Sequence, residues 1–216
     1  PIATVITQVE VDPDDPAFGN PTKPIGPFYE ENEAKSVSGE KGWQIAQDSN
    51  RGYRRVVPSP HPIKILELPA IQKLVSEGII VITVGGGGIP VVKKEGRYVG
   101  IDAVIDKDFA SALLAANLNA HTFIILTGVD QVAIDFGKPT ERPLSQLDTK
   151  EAKAYLEEGQ FPVGSMGPKV EAALEFLNGH NDGEVLITSL KALPQAIRRR
   201  TGTRIFPYQS LSGKKR

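Results

Sequence analysis

Apolar positions along this chain fall into short blocks, and each block carries the period of a strand or a helix. Ile79, Ile80, Val81, Ile82, Thr83 and Val84 form an uninterrupted run rich in β-branched residues, the pattern of a buried β-strand. Phe123, Ile124, Ile125 and Leu126 form a second such run. Residues 2–9 alternate like a strand with Thr4 and Thr7 interspersed, and shorter strands are expected at 97–104, 185–188 and 203–207. Between them lie helical patterns. Residues 69–77 place Ile71, Leu74 and Val75 on one face and stop at Gly78. Further helices are expected over 108–118, 149–158, 168–177, with Pro168 at the opening position, and 190–200.

Strands alternating with helices imply an α/β fold with a mostly parallel sheet and helices on both faces, a three-layer αβα sandwich. One stretch breaks the rhythm. From 11 to 62 the long apolar runs vanish and Pro and Gly become dense, as in Asn20-Pro21-Thr22-Lys23-Pro24-Ile25-Gly26-Pro27. We read it as a small protruding lid subdomain inserted in a core made of 1–10 and 63–208. Residues 209–216 read as a tail, disordered over 211–216. No internal repeat is visible.

Composition narrows the function classes. The chain has 216 residues, 40% of them hydrophobic, with 25 Lys and Arg against 26 Asp and Glu. A formal net charge of −1 gives no support to a nucleic-acid or membrane-surface partner. The triplet Arg198-Arg199-Arg200 reads as a solvated helix end. Cys is absent, which excludes disulfide and thiolate chemistry and is compatible with a reducing cytoplasm. No apolar run is long enough for a transmembrane helix. His61, His121 and His180 are scattered without metal-ligand spacing, so no metal ligands are assigned. A strand pattern that starts at the first residue, without an initiator Met, leads us to expect more chain upstream.

The candidate chemistry begins at Gly85, Gly86, Gly87 and Gly88, directly after the first apolar run. Glycine loses the most backbone freedom on folding, so four together call for a reason. A tight turn is one reason. Close approach of backbone to a ligand at the carboxyl end of a strand is another, and bare N–H groups there suit phosphate. Neither the Walker loop nor the dinucleotide fingerprint is present, which leaves hydride transfer unsupported. Lysines stand out instead: Lys107 between Asp106 and Asp108, Lys169 after Gly164-Ser165-Met166-Gly167-Pro168, and Lys23 between prolines. Phosphoryl transfer needs positioning and positive charge more than covalent help.

With these motifs in order, the sequence resembles the carbamate kinases, a branch of the amino-acid kinase superfamily. The segments that carry the resemblance are 20–28, 55–60, 85–90, 103–108, 126–130 and 164–169, and it runs from about residue 1 to residue 207. It implies reversible phosphoryl transfer between ATP and carbamate, giving ADP and carbamoyl phosphate, with magnesium, in a cytoplasmic homodimer. The direction it implies is ATP formation at the end of arginine fermentation. Carried over by position, Lys107 contacts the transferring phosphoryl group and Asp108 orients the lysines. Lys169 neutralises the nucleotide phosphates, and Lys23 reaches in from the lid toward carbamoyl phosphate. Gly85 to Gly88 border the small substrate, while Thr127, Gly128, Val129, Asp130, Ser165 and Met166 line the nucleotide. The family pattern also begins with a strand and a Gly-Gly-Asn loop, then a Gly-Asn-Gly-Pro loop, and neither occurs here. A sheet without those strands is expected to show unpaired edges and uncovered apolar faces. Two other readings stay open: a superfamily kinase acting on a carboxylate, against which the Lys23 segment argues, and a non-catalytic nucleotide-binding or dimer scaffold.

Overall fold

The computed structural model describes residues 1–48 and 51–208; the expected tail, 209–216, lies outside them. The chain divides into two compact units, Pro1–Ala110 and Ser111–Arg216. In chain order the first contains β1 (Ile2–Thr4), β2 (Gln8–Val11), β3 (Lys23–Tyr29), α1 (Glu31–Lys41), β4 (Ile45–Gln47), β5 (Tyr53–Val57), β6 (Pro62–Ile65), α2 (Leu68–Ser76), β7 (Ile80–Ile82), β8 (Ile89–Lys94), β9 (Arg97–Gly100) and the start of α3 (Lys107–Asn117).

The expected strand over 2–9 is two strands in two sheets. β1 runs parallel to β7, with Ile2 opposite Ile80 and Thr4 opposite Ile82. After the Val5 N–H bonds to the Ile82 carbonyl at 2.9 Å, the chain leaves that ladder. It re-enters as β2, antiparallel to β6 and parallel to β8, which continues into antiparallel β9. Val9, Val11, Ile65, Ile71, Val91, Val92 and Ile105 are almost fully buried and make this unit's core. The run at 79–84 behaves differently from the expectation of a buried strand. Only Ile80–Ile82 is extended, because Val84 turns into the left-handed region at φ 47°. Ile80 and Ile82 are 64% and 56% exposed, beside Ile2 at 67%. Among the described residues β1 and β7 pair only with each other, and alternation puts both isoleucines on the one uncovered face.

The stretch 11–62 carries its own antiparallel sheet in the order β3–β5–β4. It also holds a helix that the apolar pattern did not reveal. α1 buries only Ala34, so it has no apolar stripe to read. Local chemistry makes it: Glu31 and Glu33 in the first turn, Lys41 in the last, a Lys35–Glu31 pair at 2.7 Å, and Gly42 at φ 64° as the stop.

The second unit contains β10 (Thr122–Thr127), β11 (Val132–Ile134), β12 (Arg142–Leu144), β13 (Gln146–Asp148), α4 (Thr149–Glu157), α5 (Met166–Leu177), β14 (Glu184–Ser189), α6 (Leu193–Ile197) and β15 (Thr203–Phe206). Its main sheet has the order β10–β14–β15–β13. β10 and β14 are parallel, β14 and β15 antiparallel, β15 and β13 parallel. α5 buries Val170, Ala172, Ala173, Phe176 and Leu177, and Phe176 meets Phe123 with ring centroids 5.5 Å apart. A full capping box, Asp148 with Glu151, starts α4. α6 is far shorter than the helix expected over 190–200. Arg199 adopts φ 61°, and the buried Arg204 guanidinium takes the Ala196 carbonyl at 2.7 Å, which a longer helix would have used for the N–H of Arg200.

The α/β class is therefore as expected, with mixed sheets in both units. Among the described residues no helix is long and apolar enough to cross a membrane.

Candidate functional site

The glycine loop in the first unit is a single 3-10 turn, Gly85–Gly87, entered from Val84. Gly86, Gly87 and Gly88 have φ of 67°, 100° and 87°, a region that side chains disfavour. Packing accounts for two of them. A Cβ on Gly87 would lie 2.2 Å from the Ile105 carbonyl oxygen, and one on Gly88 would lie 2.5 Å from Val9 Cγ2. Gly85 and Gly86 face open space. The loop borders a cavity of about 260 Å³ together with Thr4, Thr7 and Thr83. The Thr83 hydroxyl is buried there without a hydrogen-bond partner among the described residues.

The strand expected over 97–104 ends at Gly100, and contact at Gly87 fixes the loop that follows it and carries Asp106. This carboxylate does two things. Its Oδ1 accepts the Asp108 N–H at 2.9 Å, an N-cap bond that starts α3. Its Oδ2 accepts from Lys23 Nζ at 2.5 Å, so the side chain of β3 is joined to the loop before α3. Burial, the largest influence, raises the Asp106 pKa. The Lys23 hydrogen bond, the Asp108 N–H and the charges of Lys23 and Lys107 outweigh it and hold the carboxyl below its ordinary value. Lys107 lies 3.8 Å from Asp108 Oδ2, with a side chain 60% exposed. Asp108 itself is buried. The family resemblance implies that Asp108 orients the lysines, and Lys107 lies within ion-pair distance of it. In the first unit the residue found in direct contact with Lys23 is Asp106, and the readable signal for it was an aspartate placed just before a helix.

The second unit builds a separate cavity of about 180 Å³. Thr127, Gly128 and Val129 at the end of β10, and Ser165 and Met166 at the start of α5, line it together with Gln131, Ala133, Phe136 and Pro162. Thus five residues expected to lie along a nucleotide line one cavity. Asp130, the sixth, does not line it. Its Oδ1 accepts from the Ser189 hydroxyl at 2.5 Å and its carbonyl from the Thr188 hydroxyl at 3.1 Å, so it anchors the turn to β14. Phe136, 59% exposed, was missed in sequence because a lone Phe in a loop has no period to announce it. The cavity is smaller than the roughly 300–1,000 Å³ of a whole-ligand site and suits one flat ring system. Lys169 sits half-buried in the first turns of α5.

Comparison with known proteins identifies relatives of this chain. The model of the amino acid kinase family matches residues 28–189. A carbamate kinase from Staphylococcus haemolyticus is 54% identical over 204 residues, covering 94% of this chain and 66% of that protein. One from Thermococcus kodakarensis is 49% identical over 205 residues, covering 95% and 65%. Among solved structures, carbamate kinase from Giardia lamblia bound to citric acid superposes with a TM-score of 0.89 at 42% identity, over 96% of this chain and 65% of that one. The form bound to AMP-PNP gives 0.82 at 44% identity. This chain spans about two thirds of the length of these relatives. The family match covers most of the chain, includes the glycine loop and both lysine-bearing helix starts, and leads to one conclusion: the chain belongs to the amino acid kinase family.

Proposed function

We propose that this chain carries out carbamate kinase chemistry, reversible phosphoryl transfer between ATP and carbamate, in the ATP-forming direction. The observation that carries this reading is the agreement of an identity above 50% to a carbamate kinase with five expected nucleotide residues lining one cavity. In this reading a β-phosphate oxygen of ADP attacks the phosphorus of carbamoyl phosphate. The new P–O bond forms as the carbamoyl O–P bond breaks, and carbamate leaves as the anion. No proton transfer is required. The chain's own contribution is charge and position. In the first unit Lys23 and Lys107, with the N–H groups of Gly85 and Gly86, hold the phosphoryl oxygens of the small substrate, and residues 11–62 act as a lid that carries Lys23. In the second unit Phe136 and Met166 hold the base, and Lys169 neutralises nucleotide phosphate.

Magnesium belongs to the same proposal through the nucleotide. Among the described residues no group of three or more His, Cys, Asp or Glu could hold an ion. The residues do not form a cage of their own, and magnesium commonly arrives on phosphates with its waters. No step is routed through it. A homodimer and a cytoplasmic location follow from the family resemblance and stand as parts of the proposal.

A second reading is nucleotide binding without turnover. It is favoured by the second unit's cavity, which needs no residue of the first. ATP formation from ADP, carbamoyl phosphate and magnesium separates the two. ATP production supports the kinase; binding of ADP with no ATP formed supports the scaffold.

A further inference from the structure

We propose that Asp106 is a positioning residue for the transfer, aiming the ammonium of Lys23 at the incoming phosphoryl group; this rests on the kinase reading above. Lys23 lies on β3, in the sheet of the lid, on a side chain with four rotatable bonds that would otherwise sample many directions. Asp106 removes that freedom with a contact of 2.5 Å. The contact leaves Lys23 usable. An ammonium has three donors, Asp106 takes one, and the Lys23 side chain is still 28% exposed. Its remaining N–H groups can meet phosphate oxygens while the first stays on the carboxylate.

Asp106 is itself held rigidly. Its second oxygen is tied to the Asp108 N–H, and the residue before it is pressed against Gly87, with no room for a Cβ. The side chain is only 12% exposed, so water competes weakly for the pair. The charge of Lys107 also acts on this carboxylate. Asp106 therefore stays compensated when a phosphate draws on Lys23. One aspartate thus sets the start of α3, on which Lys107 stands, and the direction of Lys23.

The test is a double-mutant cycle in the full chain with Asp106→Asn and Lys23→Ala. Asn caps helices about as well as Asp, so the α3 cap is kept and only the ion pair is lost. Asp106→Asn is expected to lower kcat/KM for carbamoyl phosphate about tenfold to a hundredfold, the scale of a misplaced reacting group. In the Lys23→Ala background the same change is expected to cost less than about twofold, because the two act as one unit. Acylation of individual lysines by acetic anhydride, read by mass spectrometry, gives a readout free of turnover. Lys23 should become several-fold more reactive in Asp106→Asn while Lys169 stays unchanged.

Equal losses in both backgrounds would overturn the positioning role, as would unchanged Lys23 reactivity. A wild-type chain that forms no ATP would overturn the kinase reading and the catalytic part of this proposal together. The lysine labelling would then report on the ion pair alone.

Discussion

Gly87 and Ile105 meet backbone to backbone so closely that a single added carbon would sit 2.2 Å from the Ile105 carbonyl oxygen. The glycine loop and the loop segment before Asp106 are therefore one packed unit. Gly87→Ala must move backbone as well as adopt a disfavoured φ of 100°. We expect a loss of about 2–4 kcal/mol, the upper range for point substitutions. Gly86→Ala meets open space and should lose only about 1–2 kcal/mol from its φ. Urea unfolding of the two variants gives the comparison, and equal losses would contradict the packing argument.

Phe136 offers the largest exposed ring around the second unit's cavity. If it stacks on a base, Phe136→Ala should weaken ADP binding by about 1–3 kcal/mol, roughly five- to 150-fold. Thermal stability should stay within a degree or two, because the side chain is 59% exposed. Calorimetric titration with ADP measures this. Unchanged affinity would remove Phe136 from the base site.

Asp106 should leave a mark on acid unfolding. Its folded-state pKa is depressed, so its contribution is fully present above the unfolded value of about 3.9. It is lost as the pH falls below that value through the folded one. Above pH 5 the slope of stability with pH should match in wild type and Asp106→Asn. Below about pH 4 the wild type should lose stability more steeply than the variant. Urea midpoints between pH 3 and 6 show which holds, and parallel curves throughout would mean that the ion pair contributes no linkage.

Ile2 and Ile80 face each other across β1 and β7 and are both mostly exposed. Paired apolar side chains on an uncovered strand pair are a self-association hazard. Ile2→Thr with Ile80→Thr keeps β-branched shapes on the strands. It should change stability by less than about 1 kcal/mol and raise the concentration at which the chain associates, as seen by light scattering. A large stability loss would show that this face is covered in solution.

How much was legible follows from what each signal depends on. The strands at Thr122–Thr127 and Glu184–Ser189 and the helices at Leu68–Ser76 and Thr149–Glu157 were readable because apolar period, caps and stops are local. α1 was not, since a helix that buries one alanine carries no stripe. The break between β1 and β2 was also hidden: an alternating run looks the same whether it stays in one sheet or crosses to another. At the candidate site, motif order singled out the lysines, the glycines and most of the cavity lining. Phe136 escaped because a loop residue has no pattern.

The sequence by itself determined the α/β class and the family and singled out candidate residues for phosphate chemistry, because these depend on residue type and spacing along the chain. The tertiary structure decided which groups touch. Lys23 and Asp106 are separated in sequence by the rest of the β3–β5–β4 sheet and much of the first unit's core, and any of several aspartates could have paired with that lysine. Only the seating of β3 beside the loop fixed by Gly87 and Ile105 selects Asp106. Electrostatic pairing depends on distance in space, which the pattern of a chain does not contain.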